Sequence, residues 1–173
     1  MSKKKAKGRT RKLLIGFTVL LLVLLITLYN PVSVRLMTVG VAVWYGIDPV
    51  IFYRLIRTES AFRSFAVSPR SAIGLGQIRE STAYYIHDKH KRGMLFIPFY
   101  NLRLSAQYIK YLSKRFDGNW TLILAAYNWG ETRVSRRMRN TDIDPDQDYR
   151  HRFKDIPETY NYINKILPPA KKA

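Results

Sequence analysis

The sequence predicts a mostly α-helical domain behind a single membrane-spanning helix, and three observations predict it. An uncharged apolar run fills residues 13–34 behind a cluster of basic residues. Helix-opening residues followed by apolar positions at three- and four-residue spacing occur at 48–60 and again at 101–116. Residues 120–127 are apolar on every side, the mark of a helix buried at the centre of a domain. No stretch calls for a large sheet, although the turn chemistry between Ser64 and Leu75 suits a small β-hairpin.

Lys3, Lys4, Lys5, Lys7, Arg9, Arg11 and Lys12 make residues 1–12 a basic tail. Leu13 to Val34 follows without a charge, 22 residues that would span about 33 Å as a helix, close to the thickness of a bilayer core. A cleavable signal peptide is the structural competitor. Its apolar region usually runs about 7–15 residues and ends in a small-x-small site, which is not found directly after Tyr29. With the basic tail on the cytoplasmic side, the positive-inside rule carries residues 35–173 across the membrane, leaving lipid contact to the apolar helix. The 143 residues beyond the first 30 are enough for one domain that buries about two-thirds of its unfolded surface. Cysteine is absent, which removes a lipidated cysteine as the tether and any disulfide framework.

Within that domain, Asp48 is placed as N-cap, Pro49 at the first helical position, and Phe52, Leu55 and Ile56 as a core-facing stripe. A proline turn, Ala66-Val67-Ser68-Pro69-Arg70-Ser71, precedes Gly74-Leu75-Gly76-Gln77-Ile78, whose two glycines let the backbone approach something closely. Ser81 to Asp88 reads as a short helix. Asn101 is the expected cap of a longer one in which Ser105, Tyr108, Ile109, Leu112 and Phe116 share a face until Gly118 stops it. The buried helix Trp120–Tyr127 delivers Tyr127 and Asn128 at its end, and the last helix follows Pro157 and halts at Pro168-Pro169.

Glu59 is the residue out of place. It is the next step of the apolar stripe and lies in the last turn of its helix, so lost hydration and the negative end of the helix dipole both raise its pKa. Such a carboxyl can hold its proton near neutrality, as a general acid with a pKa tuned to about 6–7 does. The plain alternative is a solvated glutamate paired with Arg57 or Arg63.

The formal net charge of +18 raises nucleic acid as a partner, with Arg133-Val134-Ser135-Arg136-Arg137-Met138-Arg139 as the best patch. Seven of those charges belong to the basic tail, however, and a domain carried across a membrane rarely meets DNA as its substrate, so the patch reads as a basic solvated helix face and no nucleic-acid partner is expected. The remaining charge of about +11 suits an anionic glycan equally well. Asp142, Asp144, Asp146 and Asp148 alternate like a calcium loop, but Gln147 stands where glycine is needed and Phe153 where glutamate is needed. His87 and His90 have a spacing that can hold zinc, yet no cysteine or second motif supports it, and they read as a surface pair. Neither a metal nor a cofactor is expected.

Four short signals occur in one order: Glu59-Ser60, Gly74-Leu75-Gly76-Gln77, Ala126-Tyr127-Asn128, and Glu158-Thr159 followed by Tyr162. In this they resemble the lytic transglycosylases, goose-lysozyme-like enzymes that cleave peptidoglycan, over roughly Trp44 to Leu167. The departures are Gly76 for a usual methionine, Ser71 for a glycine, Arg79-Glu80 for Met-Pro, and Trp129 for a small residue. They put the shape of the sugar subsites in question, not the acid.

The resemblance implies a lysozyme-like helical catalytic domain with peptidoglycan glycan strands as partner; joined to the basic tail and apolar run, it places the chain in the bacterial inner (cytoplasmic) membrane with its cleft on the extracytoplasmic side. It also implies non-hydrolytic cleavage of the β-1,4 bond from N-acetylmuramic acid to N-acetylglucosamine, with Glu59 first as acid and then as base. Ser68, Gln77, Tyr127, Asn128 and Glu158 are the expected substrate-binding residues, Asn128 shaping the cleft and Glu158 having a helix-capping role as its alternative. Trp129, Tyr84 and Tyr85 could stack on sugars or pack in the core. A hydrolytic lysozyme using Glu158 as second carboxylate, or a non-catalytic peptidoglycan-binding scaffold, remain the alternatives, and cell-wall or secretion-system protein partners are left open.

Overall fold

The computed structural model describes residues 2–168, with side chains from Arg11 onward. Met1, the Lys171-Lys172 end and the side chains from Lys3 to Arg9 lie outside the described residues. The first helix, α1 (Ser2–Tyr29), contains a 19-residue stretch, Arg11–Tyr29, long and apolar enough to cross a membrane and wholly unburied. The apolar run does not continue as one helix to Val34. Asn30 adopts extended dihedrals (φ −62°, ψ 135°), its Oδ1 accepts the Val32 N–H at 2.8 Å, and Pro31 opens α2 (Pro31–Trp44). The cause is local: proline disfavours helical geometry in the residue before it and suits the first position of a new helix, while asparagine is a good N-cap. Val34 is thereby fully buried with Thr38, Val41 and Ala42 inside the domain rather than in the span.

α3 (Pro49–Ser60) forms as expected, with the Asp48 carboxylate accepting the N–H groups of Val50 and Ile51 at 2.7 and 3.0 Å. Phe52, Leu55 and Ile56 are fully buried, and Ala61 (φ 52°) ends the helix one residue past Ser60. A two-stranded antiparallel sheet follows, β1 (Ala72–Ile73) with β2 (Ile78–Arg79), Ala72 opposite Arg79 and Ile73 opposite Ile78. The hairpin therefore lies further along the chain than predicted, because its reversal is the Gly74–Gln77 turn, where Gly74 (φ 77°) and Gln77 (φ 48°) are left-handed. Within the predicted range only the Val67–Ile73 bridge forms.

α4 (Glu80–Ile86) and a 3-10 helix at Arg92–Phe96 lead into α5 (Pro98–Arg115). Asn101 does not cap α5. Pro98 starts that helix three residues earlier, and the Asn101 side chain is buried as a tie: it accepts the Gly76 N–H at 2.8 Å and donates to the carbonyls of Ile73 and Leu95 at 2.9 and 2.8 Å. The glycine turn is thus fastened to α5 through one side chain, at buried backbone groups that would otherwise lack partners.

α6 (Trp120–Trp129) is the central helix, buried from Thr121 to Ala126 and packed by α5, by α7 (Glu131–Arg137) and by α8 (Pro157–Ile166). α3 lies between α2 and α8, so its C-terminal end faces the same side as the hairpin and the end of α6. The aspartate-rich loop serves to brace the fold: Asn119 Nδ2 donates to the carbonyls of Asp144, Pro145 and Gln147, and Asp148 binds Arg150. His90 is not at the surface. It is buried between Tyr84 and Tyr100, its Nδ1 3.0 Å from the Tyr100 hydroxyl.

Candidate active site

The end of α3, the hairpin, the end of α6 and the start of α8 enclose an open cleft of about 640 Å³. Glu59, Ser68, Gln77, Tyr127, Asn128 and Glu158 all line it, so the structure brings together every site residue read from the sequence. Trp129 lines it too, whereas Tyr84 and Tyr85 do not. Those two are engaged elsewhere, Tyr84 edge-on to His90 and Tyr85 against Tyr111.

Glu59 is part-buried, and its Oε1 accepts a hydrogen bond from the hydroxyl of Tyr162, itself buried on α8. Loss of hydration raises the Glu59 pKa from 4.5 to about 7, against the smaller lowering effect of the Tyr162 hydrogen bond. The solvated, arginine-paired alternative is therefore wrong. Glu158 is a different kind of group: its side chain is 67% exposed and lies 4.0 Å from the still more exposed Arg70. The two carboxyls on the cleft thus differ in environment, one withdrawn from water and one solvated at the rim.

The polar residues around Glu59 are held from behind. Ser68 Oγ accepts the Ala72 N–H at 3.0 Å, which leaves its own proton to donate. Gln77 Nε2 donates to Gly74 O at 2.9 Å and Ala66 O at 3.3 Å, leaving the amide oxygen as the acceptor for a ligand. The Tyr127 hydroxyl donates to Gly76 O at 2.8 Å, and burial, then the neighbouring Glu59 charge, hold its pKa well above the ordinary phenol value. Asn128 Oδ1 accepts from Thr159 Oγ1 at 2.8 Å, fixing the amide so that its N–H groups are the donors left over.

Tyr162 belongs to the fourth sequence signal, but sequence reasoning assigned it no role in the site. Its signal was present, since a tyrosine on the buried face of α8 with Thr159, Ile163 and Ile166 must find a partner for its hydroxyl, and that partner is Glu59.

Residues 41–149, well over half of the chain, match the family model described as the transglycosylase SLT domain. The chain belongs to that family.

This SLT domain is 33% identical over 93 residues to the soluble lytic murein transglycosylase of Salmonella typhimurium, covering 50% of this chain and 14% of the relative. Among solved structures it is similar to an inactive glutamate-to-glutamine variant of the lytic transglycosylase Slt from Pseudomonas aeruginosa, with a TM-score of 0.66, 31% identity, 77% of this chain and 22% of the other covered. It is also similar to a 70-kDa soluble lytic transglycosylase in complex with bulgecin A, with a TM-score of 0.65, 26% identity and coverages of 76% and 22%. The chain thus spans less than a quarter of the length of each of these relatives.

The departures of this SLT domain from the family motifs have physical accounts. A Cβ at Gly76 would fall 1.9 Å from Ser105 Oγ and 2.9 Å from the Tyr127 hydroxyl. Position 76 therefore points into packing on α5 rather than forming an open cleft wall. Ser71, where glycine is usual, has φ 58°, a left-handed conformation that glycine adopts without strain. Glu80 replaces a proline at the first position of α4, where an acidic side chain also suits the helix dipole, and it pairs with Arg92 at 3.4 Å. Trp129 is packed by the guanidinium groups of Arg137 and Arg133, 5.0 and 5.8 Å from its ring, and lies edge-on to Phe153. Of the arginine patch weighed for nucleic acid, Arg137 is drawn into internal contacts, also binding Asp155 at 2.5 and 2.7 Å, and Arg133 lies over Trp129, while Arg136 and Arg139 stay exposed.

Proposed function

We propose that this SLT domain is a peptidoglycan lytic transglycosylase in which Glu59 acts alone as acid and then base. The observation that carries the reading is the Glu59 carboxyl, withdrawn from water on the cleft wall, held at a pKa of about 7 and oriented by Tyr162. Near neutrality a large fraction of it is protonated, and it gives that proton to the glycosidic oxygen as the bond from C1 of N-acetylmuramic acid breaks and N-acetylglucosamine leaves. The resulting carboxylate takes the proton from the muramic C6 hydroxyl while O6 bonds to C1. The ring closes as a 1,6-anhydro sugar, Glu59 is protonated again, and no water is consumed.

Ser68 donates to the acetamido or lactyl oxygen, Gln77 accepts from a sugar hydroxyl, and Asn128 donates from the cleft wall. Tyr127 holds the glycine turn and keeps a polar hydroxyl near the reacting carbon. Glu158 and Arg70 sit at the solvated rim, where Glu158 contacts substrate groups rather than activating water. Hydrolysis through Glu158 would ask a solvated, ion-paired carboxylate to act as base or nucleophile, and its exposure disfavours that role. In this reading Arg11–Tyr29 anchors the chain in the inner membrane and the domain works on its extracytoplasmic side.

The test is mass analysis of muropeptides released from purified sacculi by the full chain in detergent, with Glu59→Gln in parallel. Products one water lighter than reducing-end muropeptides, absent with the variant, are expected. Reducing ends would replace the reading with a lysozyme, and binding without release by the wild type would replace it with a scaffold.

A further inference from the structure

We propose that the outward face of α2 lies against the lipid bilayer, docking the SLT domain flat on the membrane surface by a contact separate from the spanning helix. α2 buries Val34, Thr38, Val41 and Ala42 in the domain. A helix with one buried face normally turns polar residues outward. Here the opposite side is a row of Val32, Leu36, Val39 and Val43, at steps of four, three and four residues, with Leu36 69% and Val43 65% exposed. α2 carries no acidic residue, and Arg35, its one charged residue, lies over the Phe62 ring at 5.4 Å.

What covers this row is indicated by what surrounds it. Val32 comes three residues after Tyr29, where the membrane-length helix ends, and Asn30 is the single extended residue at which the chain turns from one helix into the next. The row therefore starts at the depth where α1 leaves the hydrocarbon. Trp44 at the far end of α2 is 70% exposed and packs beside Phe99, and Tyr29 stacks on the exposed Phe65 at 5.0 Å. Aromatic groups thus stand just before α2 and at its last residue, flanking the apolar row as they do at a membrane interface. At its flank the row meets a hollow formed with Pro49 and Val50, which Arg54 and Arg57 also line, placing cations where anionic headgroups would be. The proposal rests on α1 spanning the bilayer, and it is independent of the chemistry at Glu59.

The chain has no cysteine, so single-cysteine variants take a nitroxide label at one place only. Leu36→Cys and Val43→Cys report on the row, Leu20→Cys on α1, and Lys154→Cys on an exposed site away from α2. Each full-length variant is reconstituted into vesicles of phosphatidylethanolamine and phosphatidylglycerol, and collisions with oxygen and with a water-soluble nickel complex are measured. Labels at positions 36 and 43 are expected to resemble position 20, with an oxygen-to-nickel ratio several-fold above that at position 154. Lipid-like values at position 20 with water-like values at 36 and 43 would overturn the proposal and leave the anchor standing. Low access to both reagents at 36 and 43 would overturn it in favour of a second copy or another protein covering the row. Water-like values at position 20 would remove the anchor and the proposal together.

Discussion

Replacing Glu59 by glutamine should stabilise the fold above neutral pH while abolishing cleavage, and the pH dependence of that gain tests the assignment of Glu59. In the unfolded chain the carboxyl releases its proton near 4.5, whereas in the folded domain burial holds it until about 7. Between those values the native state binds the extra proton, so stability falls as pH rises, by about 1.4 kcal/mol per pH unit. Below 4.5 both states are protonated and nothing is lost. Above 7 the loss is complete, at about 3 kcal/mol for a rise from 4.5 to about 7. Glutamine is an isosteric stand-in for the protonated acid and carries no such dependence. Unfolding of the full chain in detergent, followed at pH 4 and at pH 8, should therefore show the variant equal to the wild type at the lower pH. At the higher pH the variant should be more stable, by about 10 °C in Tm for a domain of this size. A difference independent of pH, or one larger at pH 4, would refute the claim that burial of this carboxyl sets its protonation.

Tyr162→Phe removes the hydrogen bond that lowers the Glu59 pKa, so the alkaline limb of kcat/KM against pH, expected near pH 7, should move upward; no movement would show that Tyr162 does not act on Glu59. Asn101→Ala leaves the Gly76 N–H and the carbonyls of Ile73 and Leu95 without their buried partner, and should cost about 3 kcal/mol in denaturant unfolding. Gly76→Ala places a methyl group onto Ser105 Oγ and should destabilise by about 1–3 kcal/mol, with Ser105→Gly recovering part of that in the double variant despite its own cost in a helix. Ser71→Gly relieves a left-handed serine at φ 58° and should raise stability by up to about 1 kcal/mol, read as an increase in Tm.

The parts of this molecule that were legible in advance are those where one residue's own chemistry decides its place. Asp48 and Pro49 open α3, Phe52, Leu55 and Ile56 turn it inward, and Glu59 follows on the same face, all from spacing within a dozen residues. What was not legible depends on partners far along the chain. Asn101 has the residue type of an N-cap, yet Pro98 begins α5 earlier and the side chain is drawn instead to Gly76, 25 residues away. The apolar run 13–34 has the length of one span, but Asn30-Pro31 divides it and tertiary burial takes Val34 into the domain. His90 resembled a surface histidine because nothing local predicts that Tyr84 and Tyr100 will enclose it.

The replacement of methionine by glycine at position 76 is best understood with the groups that occupy the space a side chain would need. Ser105 Oγ and the Tyr127 hydroxyl both reach the point where a Cβ would stand, and the Tyr127 hydroxyl donates to the carbonyl of Gly76 itself. The turn is clamped from both directions, since Asn101 holds its N–H at the same residue. The neighbouring Gln77 is consequently fixed in a left-handed backbone with its amide nitrogen committed to Gly74 and Ala66, so that only the amide oxygen is left for a ligand. Glycine at 76 therefore lets α5 and α6 approach the turn closely enough to hold Gln77 in place on the cleft that Glu59 also lines. A larger residue there would have to displace Ser105, and the first group to move with it would be the Tyr127 hydroxyl. Loss of cleavage in Gly76→Ala with Glu59 still titrating near 7 would place the damage in that clamp rather than in the acid.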